Sequence, residues 1–418
     1  MQIKAALLAA AIVSLASCTG DGSVMQGSVS KPPRAQGEFL VLTTPDGVGV
    51  VDAGTGDEIA QIPHALAAPD SSTIAAATPE HGSTMIQTLD AATGATVASS
   101  TVNGASRLRA VSPWDGSLAL TPVAEAGSDP WAPVPRSRTH LTLAVPGEPG
   151  ATERFTLHGN FEPEAFSNDG ESLYMLQYRP AMDPTTYRVT RLYIEDGKVW
   201  PVFGRNKQVV ENMTATRLQQ TLSPTGSTLY TLYTNQPPAY LSGRVVEEGD
   251  EVAFIHTLDL EDGFAVCVEL PESFGSLTPE QAAIAAAPVG RSVYAVDARD
   301  GRVVVMDRKR LELSADVSVD MTGIGDGPVS ARVSADGSAL LIAGSDGIVA
   351  LDGDTLAPIS SVPAPSGVTG MAFSDDGADL FVSWQGGIGV LDPATLETRA
   401  VLPSPVPGAL EFAGATEV

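Results

Sequence analysis

The chain has 418 residues, 43% of them hydrophobic, which is enough for a sizeable core. Its 50 acidic and 24 basic residues leave a net charge of -26 spread along the sequence, which argues against nucleic acid or anionic lipid as a partner. Cys18 and Cys267 are the only cysteines, so no disulfide framework holds the fold together.

The first residues read as a processing signal. Lys4 supplies a positive start, Ala5 to Ser14 an apolar run, and Leu15-Ala16-Ser17 a small-residue cleavage site. Cys18 follows at once, and Leu15-Ala16-Ser17-Cys18 resembles the lipobox of bacterial lipoproteins. The resemblance implies a diacylglyceryl thioether on Cys18, whose two acyl chains would anchor stably where one would be marginal. Residues 1–17 are therefore expected to form a lipoprotein signal peptide. Residues 18–37, rich in Gly, Ser, Pro and Gln, are expected to form a flexible tether. No later apolar run reaches the 18 or so residues of a membrane span. The expected location is outside the cytoplasm, with the membrane touched only through the lipid anchor. Once Cys18 is lipidated, no intramolecular disulfide is possible; Cys267 alternates along "GFAVCVELP" and reads as a small buried hydrophobe.

From residue 38 to 418 one pattern recurs, without a composition shift that would mark a second domain. The first unit has three short apolar runs, "EFLVLTT", "VGVVDAGTG" and "EIAQIP". A second spans "ALAAPDSSTIAAATP" to "ATVASSTV". The next three open on "RLRAVSPWDG", "EPEAFSNDG" and "RLQQTLSPTG", and the last three on "AAIAAAPVG", "PVSARVSADG" and "VTGMAFSDDG". Apolar alternation broken by Gly/Asp turns every 8 to 12 residues predicts antiparallel strands, four to a unit and lettered A to D here. In the Asp-Gly turns Gly accepts positive φ and Asp bonds its own backbone. The first unit lacks a strand, and Pro407 to Gly414, "PGALEFAG", is a strand A with nothing after it. The expected fold is therefore all-β: a propeller of eight four-stranded blades, closed by the C-terminal strand pairing in the first. Seven blades is the alternative if one unit is misread.

The repeats "SPTGSTLYTLY", "SADGSALLIAG…GIVALDGDTL" and "SDDGADLFVSW…GIGVLDPATLE" resemble the YVTN-type, WD-repeat-like propellers of secreted bacterial proteins, although the YVTN tetrapeptide itself is absent. The resemblance implies the fold. Such propellers include binding scaffolds, metal carriers and a minority of enzymes, so it names no activity.

Motifs for chemistry are missing: no Gly-x-Ser-x-Gly, no phosphate loop, no His-Glu-x-x-His, no Cys-x-x-Cys. Acidic turns such as Asp352-Gly353-Asp354 are read as turn-formers. His140, His158 and His256 with Glu162 are the set from which a zinc site could be assembled, but no two histidines fall within five residues. Neither a metal site nor a cofactor is called for.

The informative asymmetry is positional. The third, fourth and fifth units carry long B–C connections: "AEAGSDPWAPVPRS", "RPAMDPTT" and "NQPPAYLSGRVVEEGDE". The D–A links Gly204 to Thr216 and Pro271 to Gln281 are long too, and all of these open on one face. The same three units open strand A with Arg107 and Arg109, Glu162 and Glu164, and Arg217, Gln219 and Gln220. Later units have small or apolar residues there. Tyr178, Arg179, Tyr187 and Arg188 flank the fourth insertion. These residues are expected to rim the channel and to touch an unknown protein or small-molecule ligand at the long-loop face. A membrane-anchored extracytoplasmic binding or interaction module is the favoured function. Two alternatives stay open: a hydrolase or lyase with Glu162 or Glu164 as base, and a zinc carrier.

Overall fold

The computed structural model describes residues 37–69, 71–125, 134–148, 150–204, 212–236, 252–364 and 367–415. The expected signal peptide, Cys18 and most of the tether lie outside them, as do large parts of the third and fifth insertions.

The strands form eight four-stranded antiparallel sheets arranged in a ring. Seven sheets take their strands consecutively; the eighth pairs Ala409–Ala415 with Glu38–Thr44, closing the ring as the spare strand predicted. The eight-blade expectation therefore holds over the seven-blade one. Strands A are Ala65–Ala67, Ser106–Val111, Asn160–Phe166, Thr216–Leu222, Ala282–Ala286, Ser330–Val333, Val368–Phe373 and Ala409–Ala415. Each is the inner edge of its sheet, and most neighbouring strands A lie against one another around the axis.

Turn chemistry sets the strand boundaries. In the A–B turns a serine hydroxyl accepts the N–H five residues on: Ser374 from Asp379 and Ser167 from Ser172, both at 2.9 Å. Gly337 and Gly377 close two of these turns at φ +76° and +68°, a region that a side chain disfavours. In the C–D turns an aspartate does the same work. Asp52 Oδ1 accepts from the Gly54 and Thr55 N–H groups at 2.8 Å, and Asp352 Oδ1 from Thr355 N–H at 2.7 Å. Asp352 and its neighbours thus act as turn-formers, as read from the sequence.

Apolar side chains pack between neighbouring sheets; the sixth and seventh share a cluster that includes Val296, Val303, Val329, Leu340 and Leu351. At the closure the backbones come very near. A Cβ on Gly370 would stand 2.4 Å from both N and O of Leu410. The Pro271–Gln281 link is ordered by two short 3-10 turns, and Thr234 Oγ1 donates to Phe274 O at 2.8 Å. Cys267 lies on the outermost strand Ala265–Glu269 and is half-buried rather than buried, packed against the edge of the cluster between the fourth and fifth blades.

Candidate functional site

The charged residues that open the third, fourth and fifth strands A converge in the channel. Glu162, 3% exposed, is the hub. Arg107 Nη2 stands 3.0 and 3.2 Å from its two oxygens, Arg109 Nε 3.2 Å from Oε2, and Arg136 Nη2 2.8 Å from Oε1. Three guanidiniums on one buried carboxylate compensate its desolvation through short, charge-assisted contacts. Arg136 also donates to the carbonyl of Phe161.

One step further along the strands sits a second layer. The Glu164 side chain is 3% exposed, and Gln220 Nε2 donates to its Oε1 at 2.8 Å. Arg217 Nη1 is 3.7 Å from the same oxygen. Burial raises the Glu164 carboxyl above the ordinary range, opposed by Arg217, Gln220 and Arg109. Burial likewise lowers the Arg109 and Arg217 guanidiniums, against the pull of Glu162 and Glu164 respectively. Tyr178 lies beside this layer, its hydroxyl pushed up by burial and then by Glu162 and Glu164.

β-Bulges explain how two of these side chains are aimed. The register of Ser106–Val111 slips between Leu108 and Ala110, leaving Arg109 as the extra residue. That of Asn160–Phe166 slips between Pro163 and Ala165, leaving Glu164. An unpaired bulge residue bends and twists its strand and re-aims its side chain, a device concentrated at rims and sites.

The two layers face opposite ends of the channel. Arg136 belongs to the third unit's B–C connection, and Asn160 Nδ2 ties that loop to the fourth by donating to Val134 O at 2.9 Å and Ala181 O at 3.3 Å. The Glu162 layer therefore lies beneath the insertion side. Arg109, Glu164 and Gln220 instead line a cavity of about 530 Å3. Its other walls include Leu66, Ala67, Phe166 and Leu222, and Pro69, Pro113, Asn168, Thr225 and Gly226 from the A–B connections. Most of the lining thus lies toward the end of the strands away from the long insertions.

The remaining predicted residues do not join this cluster. Gln219 points the other way, donating to Val329 O at 3.0 Å and accepting from Ile284 N–H at 3.3 Å, so it ties the fifth, sixth and seventh strands A together. Arg188 Nε donates to Gln177 Oε1 at 2.8 Å on the adjacent strand, and Arg179 donates to Asn212. Arg136 is the participant the sequence reading missed. Its only signal was a cation in an insertion next to a unit that opens on two glutamates.

The histidines do not assemble. His140 and His158 are exposed on the third blade and His256 is buried in the fifth. No group of three or more His, Cys, Asp or Glu side chains suited to a metal occurs among the described residues. His256 packs edge-on to Tyr233 at 6.2 Å, its Nε2 buried without a hydrogen-bond partner among the described residues. Burial pushes its pKa down to about 4. The folded protein therefore resists protonating His256 while the unfolded chain takes the proton near pH 6.5. Stability should be level above pH 6.5 and fall by on the order of 3 kcal/mol as pH drops toward 4. Denaturant titrations across pH 7 to 4 should show this fall reduced in His256→Leu; equal pH slopes in the two proteins would refute it.

The fold and its channel place the chain among eight-bladed β-propellers. No family model matches the sequence, and no curated protein matches it either. Among solved structures it resembles dihydro-heme d1 dehydrogenase NirN in complex with DHE, with a TM-score of 0.54, 15% identity, and 92% of this chain and 77% of that one covered. It also resembles apo AztD from Citrobacter koseri (TM-score 0.49, 12% identity, 90% and 96% covered). A third is the Cps50 (Swd1) β-propeller domain of Myceliophteria thermophila (TM-score 0.42, 12% identity, 83% and 88% covered). At such identities the likeness is one of fold, and function must be argued from the site.

Proposed function

We propose that this protein is a membrane-anchored extracytoplasmic binding module that takes a ligand into its channel cavity. The observation that carries the reading is the cavity itself: about 530 Å3, mostly apolar walls, and Arg109, Glu164 and Gln220 together on its lining. Small-molecule sites have this size and this balance of apolar surface with a few convergent polar groups. The Glu162 layer acts as the rigid support behind them, since its charges are spent on one another. A binding role is favoured over a hydrolase or lyase because Glu162 is occupied by three guanidiniums and, among the described residues, no Ser, Cys, His or second carboxylate joins Glu164 on the cavity lining.

Location and binding are tested separately. Cys18→Ala should abolish lipidation and leave the body soluble; a variant that still partitions with membranes after a high-salt wash would contradict the anchor. For binding, Leu66→Trp should obstruct the cavity, because Leu66 lines it, is 40% exposed and can grow without entering the core. It should abolish ligand uptake while leaving thermal unfolding unchanged. Uptake that survives the substitution would place the site elsewhere.

A further inference from the structure

Two acceptor atoms on the lining are left to an occupant. Both protein contacts of Glu164, the Gln220 hydrogen bond and the Arg217 ion pair, fall on Oε1, so Oε2 is the oxygen that remains for an occupant. Gln220 uses its amide nitrogen twice, donating to Glu164 Oε1 at 2.8 Å and to Thr231 Oγ1 at 2.9 Å. That fixes the orientation of its amide and leaves the carbonyl oxygen without a hydrogen bond among the described residues. A ligand donor that reaches these two oxygens replaces the water that otherwise solvates them with hydrogen bonds, one of them charge-assisted. Arg109, on the same lining, supplies a donor beside them.

Charge narrows the choice further. Among the described residues the two layers hold four guanidiniums, Arg107, Arg109, Arg136 and Arg217, against the carboxylates of Glu162 and Glu164. A cationic head would meet this excess. An anionic head would meet the Glu164 carboxylate. A hydroxyl meets neither penalty: it can donate to Glu164 Oε2 and accept from a guanidinium at once.

Resting on the reading of this cavity as the ligand site, we infer that the ligand is an apolar molecule with a neutral hydroxyl head, held by Glu164 and Gln220 with its body against Leu66, Phe166 and Leu222. Ala67, Leu229 and Leu260 extend the apolar wall, while Thr43, Asn168 and Thr225 are the other polar side chains on the lining.

Four probes that share one body and differ only at the head decide this: 4-propylphenol, propylbenzene, 4-propylbenzoate and 4-propylbenzylamine, titrated calorimetrically into the folded chain. The phenol should bind at least tenfold more tightly than the hydrocarbon, the acid and the amine. Glu164→Gln should cut phenol affinity about tenfold and leave propylbenzene unchanged; Leu66→Trp should remove all binding. Equal affinity for phenol and hydrocarbon, with Leu66→Trp still blocking both, would overturn the hydroxyl inference and leave the binding cavity standing. The benzoate or the benzylamine binding most tightly would overturn it in favour of that charge. No binding by any of the four would count against both the inference and the cavity as an apolar ligand site. Should Glu164→Gln fail to fold, the ranking on the unaltered protein still decides.

Discussion

Cutting the chain after Pro405 should cost more stability than any single substitution. The lost strand Ala409–Ala415 pairs with the first strand from Thr43↔Ala409 to Glu38↔Ala415, and it is the only strand A that the first blade has. Leu410 is fully buried in the cluster between the last and first blades, and its N–H donates to Ser383 Oγ at 3.1 Å. Truncating a buried leucine alone costs about 2–5 kcal/mol. Adding the lost ladder brings the total to more than about 5 kcal/mol, comparable with the net stability of a typical domain. The cut also bares the inner edge of Glu38–Thr44, so association between molecules should rise. Denaturant unfolding and size-exclusion chromatography check this. A truncated chain that unfolds at the same midpoint and stays monomeric would mean that the ring does not depend on the terminal strand.

Glu162→Ala is the second large effect. It leaves Arg107, Arg109 and Arg136 facing one another without the carboxylate that all three contact. Removing one partner from a buried ion network costs about 3–5 kcal/mol, because the charges left behind cannot recover their hydration. Glu164→Ala should cost less, since Glu164 has one hydrogen bond and one ion pair at 3.7 Å. Chemical denaturation of both variants measures the order. Glu164→Ala proving the more damaging would reverse the roles assigned here, with Glu164 the support and Glu162 the group available to ligand.

The fold was legible because local chemistry and global architecture agree. Ser-Ala-Asp-Gly and Ser-Asp-Asp-Gly turns set strand ends through their own side chains, and the missing first strand and surplus last one imply closure. The channel charges were legible for a similar reason: Arg107, Glu162 and Arg217 stand where other units have small or apolar residues. Two things were not. Bulges at Arg109 and Glu164 depend on the pairing of two strands, and the only local hint was Pro163, a residue that strands admit at edges and bulges. The side on which the cavity opens was also hidden. Long insertions drew attention to one face, while the cavity walls use short turns that contribute Pro113, Asn168 and Thr225. Adjacent Gln219 and Gln220 carry the same lesson, since alternation along a strand sends one to neighbouring blades and the other to the cavity.

The most direct test of the central claim is native mass spectrometry of the protein released from its own membrane, compared with Leu66→Trp isolated identically. The account predicts a bound molecule on the unaltered protein, small enough for a cavity of about 530 Å3, and its absence from Leu66→Trp. The same adduct on both proteins would contradict the claim that the channel cavity is the binding site.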